Sequence, residues 1–152
     1  MINPKLSRYF EEYSDYHRHP INRLTHKIAI PLIVFHIIAM LNWIPLPFSI
    51  GPLSTVAHLV YVAVIAWYLS LNTRLAIIMA VAYWLCFPLA WITPWPVVVL
   101  VAVCGWMIQL AGHVVWEKRS PAFTTNLLQA LIGPLYFAAL FTGDWEAPAQ
   151  SS

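Results

Sequence analysis

Between Lys27 and Arg74, and again between Arg74 and Glu117, the chain carries no Asp, Glu, Lys or Arg. A helix that spans a bilayer takes about 20 apolar residues. Each charge-free stretch therefore has room for two spans joined by a tight turn. Charged residues make up only 9% of the 152 residues and hydrophobic ones 61%, where a soluble domain carries roughly 25% charge. With so little polar surface, lipid must be the solvent for much of the chain. One integral membrane domain over residues 1–143 is expected, with a polar, disordered tail at 144–152.

Turn chemistry divides the two stretches. Pro45, Pro47, Gly51 and Pro52 break the first into spans near 28–47 and 53–71. Thr93-Pro94-Trp95-Pro96 breaks the second into spans near 75–93 and 96–116. Paired prolines remove backbone donors and restrict the residues before them, which makes them helix ends. Trp43, Trp91 and Trp95 flank these breaks, as in an interfacial aromatic belt. Pro31 and Pro88 fall within or near spans, where neighbours satisfy the freed carbonyls. A fifth apolar segment, Leu127 to Phe141, is short and contains Gly133-Pro134. It is read as a helix packed on the bundle. The fold class is thus all-α: a multi-pass transmembrane bundle of four main spans plus a short fifth membrane-associated helix.

The charges orient this bundle. Lys5, Arg8, Arg18, Arg23 and Lys27 precede the first span, Arg74 joins the second and third, and Lys118 and Arg119 follow the fourth. All the basic residues then lie on one side, which the positive-inside rule places in the cytoplasm. The expected location is a bacterial inner membrane, or the endoplasmic reticulum in a eukaryote. The first 27 residues contain Glu11, Glu12 and Asp15 and lack an apolar core, so they do not read as a signal peptide. The net charge of +2 and the lack of a basic run with interleaved aromatics exclude a nucleic-acid partner. Cys86 and Cys104 fit neither a disulfide framework nor a CxxC site and are expected to be buried packing residues. No phosphate-binding loop, serine-nucleophile elbow or haem-attachment motif is present.

The histidines sort onto this frame. His17, His19 and His26 lie in or just before the first span on the basic side, and His113 lies near the same side in the fourth. His36 is mid-span and His58 is near the opposite face. Asn22 and His26 are four apart and share a helical face; His17 precedes Pro20, which starts a helix, and can fold back from a turn. Gln109, His113 and Glu117 recur every four residues, one polar stripe on an otherwise apolar helix, and Gly112 allows a close helix approach beside it. Ionisable groups inside a span are costly and usually face the bundle interior or a functional cavity. Imidazoles with a carboxylate and open positions are the ligand set of non-haem iron(II) oxygenases, with zinc a second candidate.

Each residue also has a plainer reading. His19 and His58 could be interfacial polar residues, and His36 a hydrogen-bonded packing residue. His17, His26 and His113 could form a structural network, while Asn22 and Gln109 bridge helices and Glu117 pairs with Lys118 or Arg119. Spacing alone marks a site without naming a reaction. On the residues themselves, a non-catalytic membrane binding or assembly protein and a small metal or proton transporter stay open. Against the transporter, only His36 sits near mid-depth.

Two blocks carry a resemblance. Tyr16-His17, Pro20, Asn22, Leu24, His26 and Pro31 form the first. Gln109, Gly112-His113, Glu117-Lys118-Arg119, Pro121-Ala122, Asn126-Leu127, Gln129 and Pro134 form the second. In order and spacing they resemble the membrane 2-hydroxy fatty acid dioxygenases of the phytosphingosine-to-odd-chain-fatty-acid pathway. That resemblance implies an Fe(II)-dependent α-oxidation: a 2-hydroxy long-chain fatty acid is shortened by one carbon with O2, and the carboxyl carbon leaves as CO2. It implies His17, His26 and His113 as iron ligands. Glu117 would be a fourth ligand or a partner fixing an imidazole tautomer, Asn22 and Gln109 outer-shell groups, and Tyr16 a contact to substrate or ligand. His19 has no counterpart there and is unassigned. The substrate's tail would lie among the spans and membrane lipid, with its carboxylate at the cytoplasmic interface.

Overall fold

The computed structural model describes residues 2–50, 53–124 and 126–146. Helices α1 (Pro4–Asp15), α2 (Pro20–Asn42), α3 (Val56–Leu71), α4 (Thr73–Ile92), α5 (Trp95–Ala111) and α6 (Leu128–Thr142) account for most of them. A π-helical turn, Gly112–Glu117, extends α5, and a 3-10 turn at Ala122–Thr124 precedes α6. Strands β1 (Pro45–Ile50) and β2 (Leu53–Thr55) form an antiparallel hairpin that pairs Pro45 with Thr55 and Ile50 with Leu53.

Helix starts follow local chemistry. Asn3 caps α1 by accepting the Leu6 N–H at 2.8 Å, with Pro4 as the first helical residue. Asn72 caps α4 by accepting the Leu75 N–H at 3.0 Å. Pro20 opens α2 eight residues before the expected span, because a helix can continue past Lys27 into the polar interface without loss of backbone bonding. Three helical stretches are long and apolar enough to cross a membrane: Pro20–Asn42, Thr73–Ile92 and Trp95–Glu117. The second expected span is shorter. Its first three residues pair in the hairpin, leaving α3 with 16 residues, about 24 Å at 1.5 Å per residue, against a hydrocarbon core of about 30 Å. Gly51 and Pro52 of that break lie outside the described residues.

α2 packs against α3, α4 and α5, with α3 also on α4 and α6 on both α1 and α4. Where α2 and α5 cross, a side chain at Gly105 would press on Ile33 Cγ1 and Leu32 Cβ, each 3.2 Å away. Burial is inside-out relative to a soluble protein. Leu85, Leu89, Leu100 and Met107 are exposed, whereas His17, Asn22, His26, His36, Gln109, His113 and Gln129 are buried. Cys104 is likewise exposed and Cys86 half-buried, which corrects the expectation for both. In a bundle whose outer surface is apolar, an apolar run says nothing about facing inward.

α1 and α6 form an antiparallel pair across the basic ends of the bundle. The Asn3 side chain donates to the Leu71 carbonyl at 2.7 Å, tying the start of α1 to the α3–α4 turn. Asn126 Nδ2 donates to Glu12 at 3.4 Å near the end of α1. Beyond α6, Asp144 pairs with Arg74 at 2.8 Å, and Trp145 meets Phe10 edge-on with centroids 5.4 Å apart. Both ends of α6 are therefore held on the basic side. Asp144 and Trp145, past the expected domain limit at Gly143, fold back onto the bundle; residues 147–152 lie outside the described residues. Leu6, Phe10 and Tyr13 of α1 pack with Ile132, Leu135, Tyr136 and Ala139 of α6 into one core with Tyr68, Leu75 and Tyr83.

Candidate metal centre

The last turn of α1, the first turns of α2 and the end of α5 meet beneath this pair. There the rings of His17, His26 and His113 stand nearly perpendicular to one another. Their centroids are 4.5, 4.9 and 4.7 Å apart, at interplanar angles of 74°, 70° and 84°. One ring nitrogen from each lies within 4.8 Å of the others, and all three residues are buried. Among the described residues this is the one grouping of His, Cys, Asp or Glu able to hold a metal ion.

Backbone carbonyls set the tautomers. His17 Nδ1 lies 2.6 Å from the Tyr13 carbonyl and His26 Nδ1 lies 2.8 Å from the Asn22 carbonyl. A carbonyl only accepts, so each Nδ1 carries the proton and each neutral ring keeps its lone pair at Nε2. Metal-binding histidines are held in this way by outer-shell acceptors. Burial, reinforced by the neighbouring His26, holds the His17 imidazole well below its ordinary pKa, so it is neutral at neutral pH. Tyr13 stacks on His17, with centroids 4.0 Å apart and planes 13° from parallel. His26 Nε2 and His113 Nδ1 are buried with no hydrogen-bond partner among the described residues. Leaving a buried polar group unpaired costs about 1–3 kcal/mol, so the unpaired nitrogens fit a cation that would accept their lone pairs.

Gly112 and Glu117 position His113. A side chain on Gly112 would collide with Thr25 Oγ1 and would sit 2.5 Å from Asn22 Oδ1. The close approach expected there is thus present, and it brings His113 against α2. The π turn beyond it widens the helix, a feature that recurs at functional sites. It ends at Lys118, whose φ of 52° places it in the left-handed region. Glu117 then reaches the start of α2. It accepts the Arg18 N–H at 2.9 Å, the His19 N–H at 3.0 Å and the Asn22 amide at 2.9 Å. Its carboxylate clamps the loop that carries His17, and the triad's nitrogens gather without it.

The remaining histidines stand apart. His19 Nδ1 accepts the Ile21 N–H at 3.2 Å as the cap of α2. His36 contacts the Leu32 carbonyl at 3.2 Å and faces Trp106; His58 contacts Thr55 Oγ1 at 2.7 Å and stacks on Phe87. Tyr16 carries the Arg119 guanidinium over its ring at 3.9 Å.

A cavity of about 180 Å³ leads away from the triad. Tyr13, His17, Gln109 and Gln129 line it at the basic end; Ile30, Val34, Ile37, Ile38 and Leu41 of α2 and Ala57, Val60 and Val64 of α3 continue it toward the hairpin. Ile30 to Leu41 is about 17 Å of helix at 1.5 Å per residue. A wider cavity of about 630 Å³ reaches His26 between α2, α4 and α6. Tyr13 and Gln129 escaped the sequence reading. Tyr13 sits one turn before His17 on the same face, a signal that was present; Gln129 stood within the second block without an assigned role.

Comparison with known proteins gives the family. A family model described as 2-hydroxy-palmitic acid dioxygenase Mpo1-like matches residues 4–145, which takes in α1, both blocks and α6. The 2-hydroxy-palmitic acid dioxygenase MPO1 of Saccharomyces cerevisiae is 28% identical over 125 residues, covering 82% of this chain and 72% of the yeast protein. No solved structure matches.

Proposed function

The chain belongs to the 2-hydroxy-palmitic acid dioxygenase Mpo1-like family, and from that premise we propose that it is an integral-membrane iron(II) dioxygenase of fatty acid α-oxidation. The observation that carries the proposal is the buried triad of His17, His26 and His113, with unpartnered nitrogens, at the head of an apolar cavity. Residues that merely glue helices together would be bonded across the interface, as Glu117 and the Asn22 amide nitrogen are. His26 Nε2, His113 Nδ1 and the Asn22 and Gln109 side-chain oxygens are not.

A 2-hydroxy long-chain acid and O2 yield the acid one carbon shorter, CO2 and water. The C1–C2 bond breaks and the carbinol carbon becomes the new carboxyl. The four electrons that O2 accepts all come from the substrate, so no separate reductant is required. Bound at His17, His26 and His113, iron(II) would supply redox access to O2 and a Lewis-acidic centre for the carboxylate and 2-hydroxyl. The chain's own residues do the rest. The Tyr13 and Asn22 carbonyls hold the His17 and His26 tautomers, and the Glu117 clamp fixes the His17 loop. The apolar walls from Ile30 to Leu41 take the acyl tail out of water. The basic side is the cytoplasmic one, so the carboxylate sits at that interface and the tail runs toward the hairpin.

The direct test incubates the purified, iron-loaded protein in lipid nanodiscs with 2-hydroxyhexadecanoate and O2. Pentadecanoate and CO2 in equal amounts are expected; a loaded protein that forms neither contradicts the proposal. The far end of the cavity sets the chain length. Ala57 is buried there, and Ala57→Phe shifts the activity profile toward shorter 2-hydroxy acids. Each methylene denied burial costs about 0.8 kcal/mol, roughly a fourfold loss of kcat/KM per carbon for long substrates. An unchanged chain-length profile would place the tail elsewhere.

A further inference from the structure

Gln129, on the first turn of α6, is 2% exposed, yet neither its amide nitrogen nor its amide oxygen has a hydrogen-bond partner among the described residues. Leucine or methionine would fill the same space without leaving polar atoms unpaired. The side chain lines the cavity that also receives Tyr13, His17 and Gln109. Gln109 is 7% exposed, and its Oε1 is unpaired as well. Two residues from helices distant in sequence, both lining one cavity beside the triad, thus carry one unpaired donor and two unpaired acceptors.

That donor and acceptor set has a chemical complement. An ionised carboxylate only accepts, so a plain fatty acid would engage Gln129 Nε2 at best and leave both amide oxygens unpaired. A hydroxyl donates and accepts at once. Next to a carboxylate, it gives an amide oxygen the proton that nothing else in an ionised fatty acid provides. We propose that Gln129, supported by Gln109, recognises the 2-hydroxyl group of the substrate and is the residue that discriminates a 2-hydroxy acid from the unsubstituted acid. This rests on the fatty acid reading above and adds to it the basis of selection. A site built to hydrogen-bond a substrate hydroxyl rejects the analogue lacking it, because the buried groups are then left unpaired. The hydroxyl is read by the protein as well as by any chelate it makes.

The test measures anaerobic equilibrium binding of radiolabelled 2-hydroxyhexadecanoate and hexadecanoate to the intact, iron-loaded protein in nanodiscs, for the wild type, Gln129→Leu and Gln129→Met. The wild type is expected to favour the hydroxy acid. Both variants lose at least tenfold of that preference, through weaker binding of the hydroxy acid, while hexadecanoate binds as well or better and iron content is unchanged. A variant that keeps the wild-type preference and binds iron overturns the inference and leaves the proposed function standing; Gln129 would then serve only to hold a structural water. Two isosteric apolar variants guard against a folding failure, since the exchange removes an unpaired amide. A wild type that binds neither acid would instead overturn the fatty acid reading, and this inference with it.

Discussion

His113→Ala is expected to abolish one-carbon shortening and to empty the metal site while leaving the bundle folded. Loss of an outer-shell partner of a metal ligand typically costs about 10–100-fold in metal affinity or activity. Removing one of the three proposed ligands exceeds that, so residual turnover below a hundredth of wild type is expected together with a fall in bound iron. The fold tolerates the change because His113 Nδ1 is unpaired, and its removal breaks no hydrogen bond made by that atom. His36→Ala is the matched control. It deletes another buried imidazole on the same bundle, held by Leu32 and facing Trp106, and it should leave iron content intact. Metal analysis and product formation, measured on both variants in parallel, separate loss of the site from loss of the protein. Wild-type iron content in His113→Ala would place the metal elsewhere.

Glu117→Ala should have the second largest effect, and of a different kind. Three donors lose their acceptor at once: the Arg18 and His19 N–H groups and the Asn22 amide. Hydrogen bonds to a charged acceptor contribute about 1.5–3 kcal/mol each. The carboxylate is half-exposed and water replaces part of it, so a net loss of about 2 kcal/mol is expected. The greater consequence falls on activity, since Glu117 anchors the loop that carries His17 and the side chain of Asn22, whose carbonyl holds His26. A drop of about 10–100-fold is expected, with iron retained when it is supplied in excess. Glu117→Gln keeps an acceptor oxygen and should fall between the two. Complete loss of iron from Glu117→Ala, matching His113→Ala, would make the carboxylate a ligand rather than a clamp.

These two residues also show where sequence reasoning reached. Glu117 and His113 stand out because a polar residue every fourth position on an apolar helix has few cheap explanations. Gly112 stands out because the only side chain it can accommodate is none. The basic residues at the ends of charge-free stretches divide the helices for the same reason: lipid makes charge expensive, so its placement is informative. The same reasoning is blind where lipid does not act. α1 and α6 lie across the basic ends, held by Asn3, Asn126 and Asp144, and none of these pairings has a periodic signature. The hairpin at Pro45–Thr55 read only as a proline-rich break. Gln129 was invisible as a site residue because its significance lies in what it fails to contact, and that is a property of the folded cavity. Cys104 misled for the complementary reason, since an apolar neighbourhood in sequence corresponds to lipid as readily as to protein.

The central claim is that three buried histidines hold the metal on which the chemistry depends. Iron content and product formation of the detergent-purified wild type, measured before chelation, after chelation and after readdition of iron(II), test it most directly. About one iron per chain is predicted, with shortening of 2-hydroxyhexadecanoate lost on chelation and restored by iron(II). Full activity in protein shown to be free of metal would contradict it.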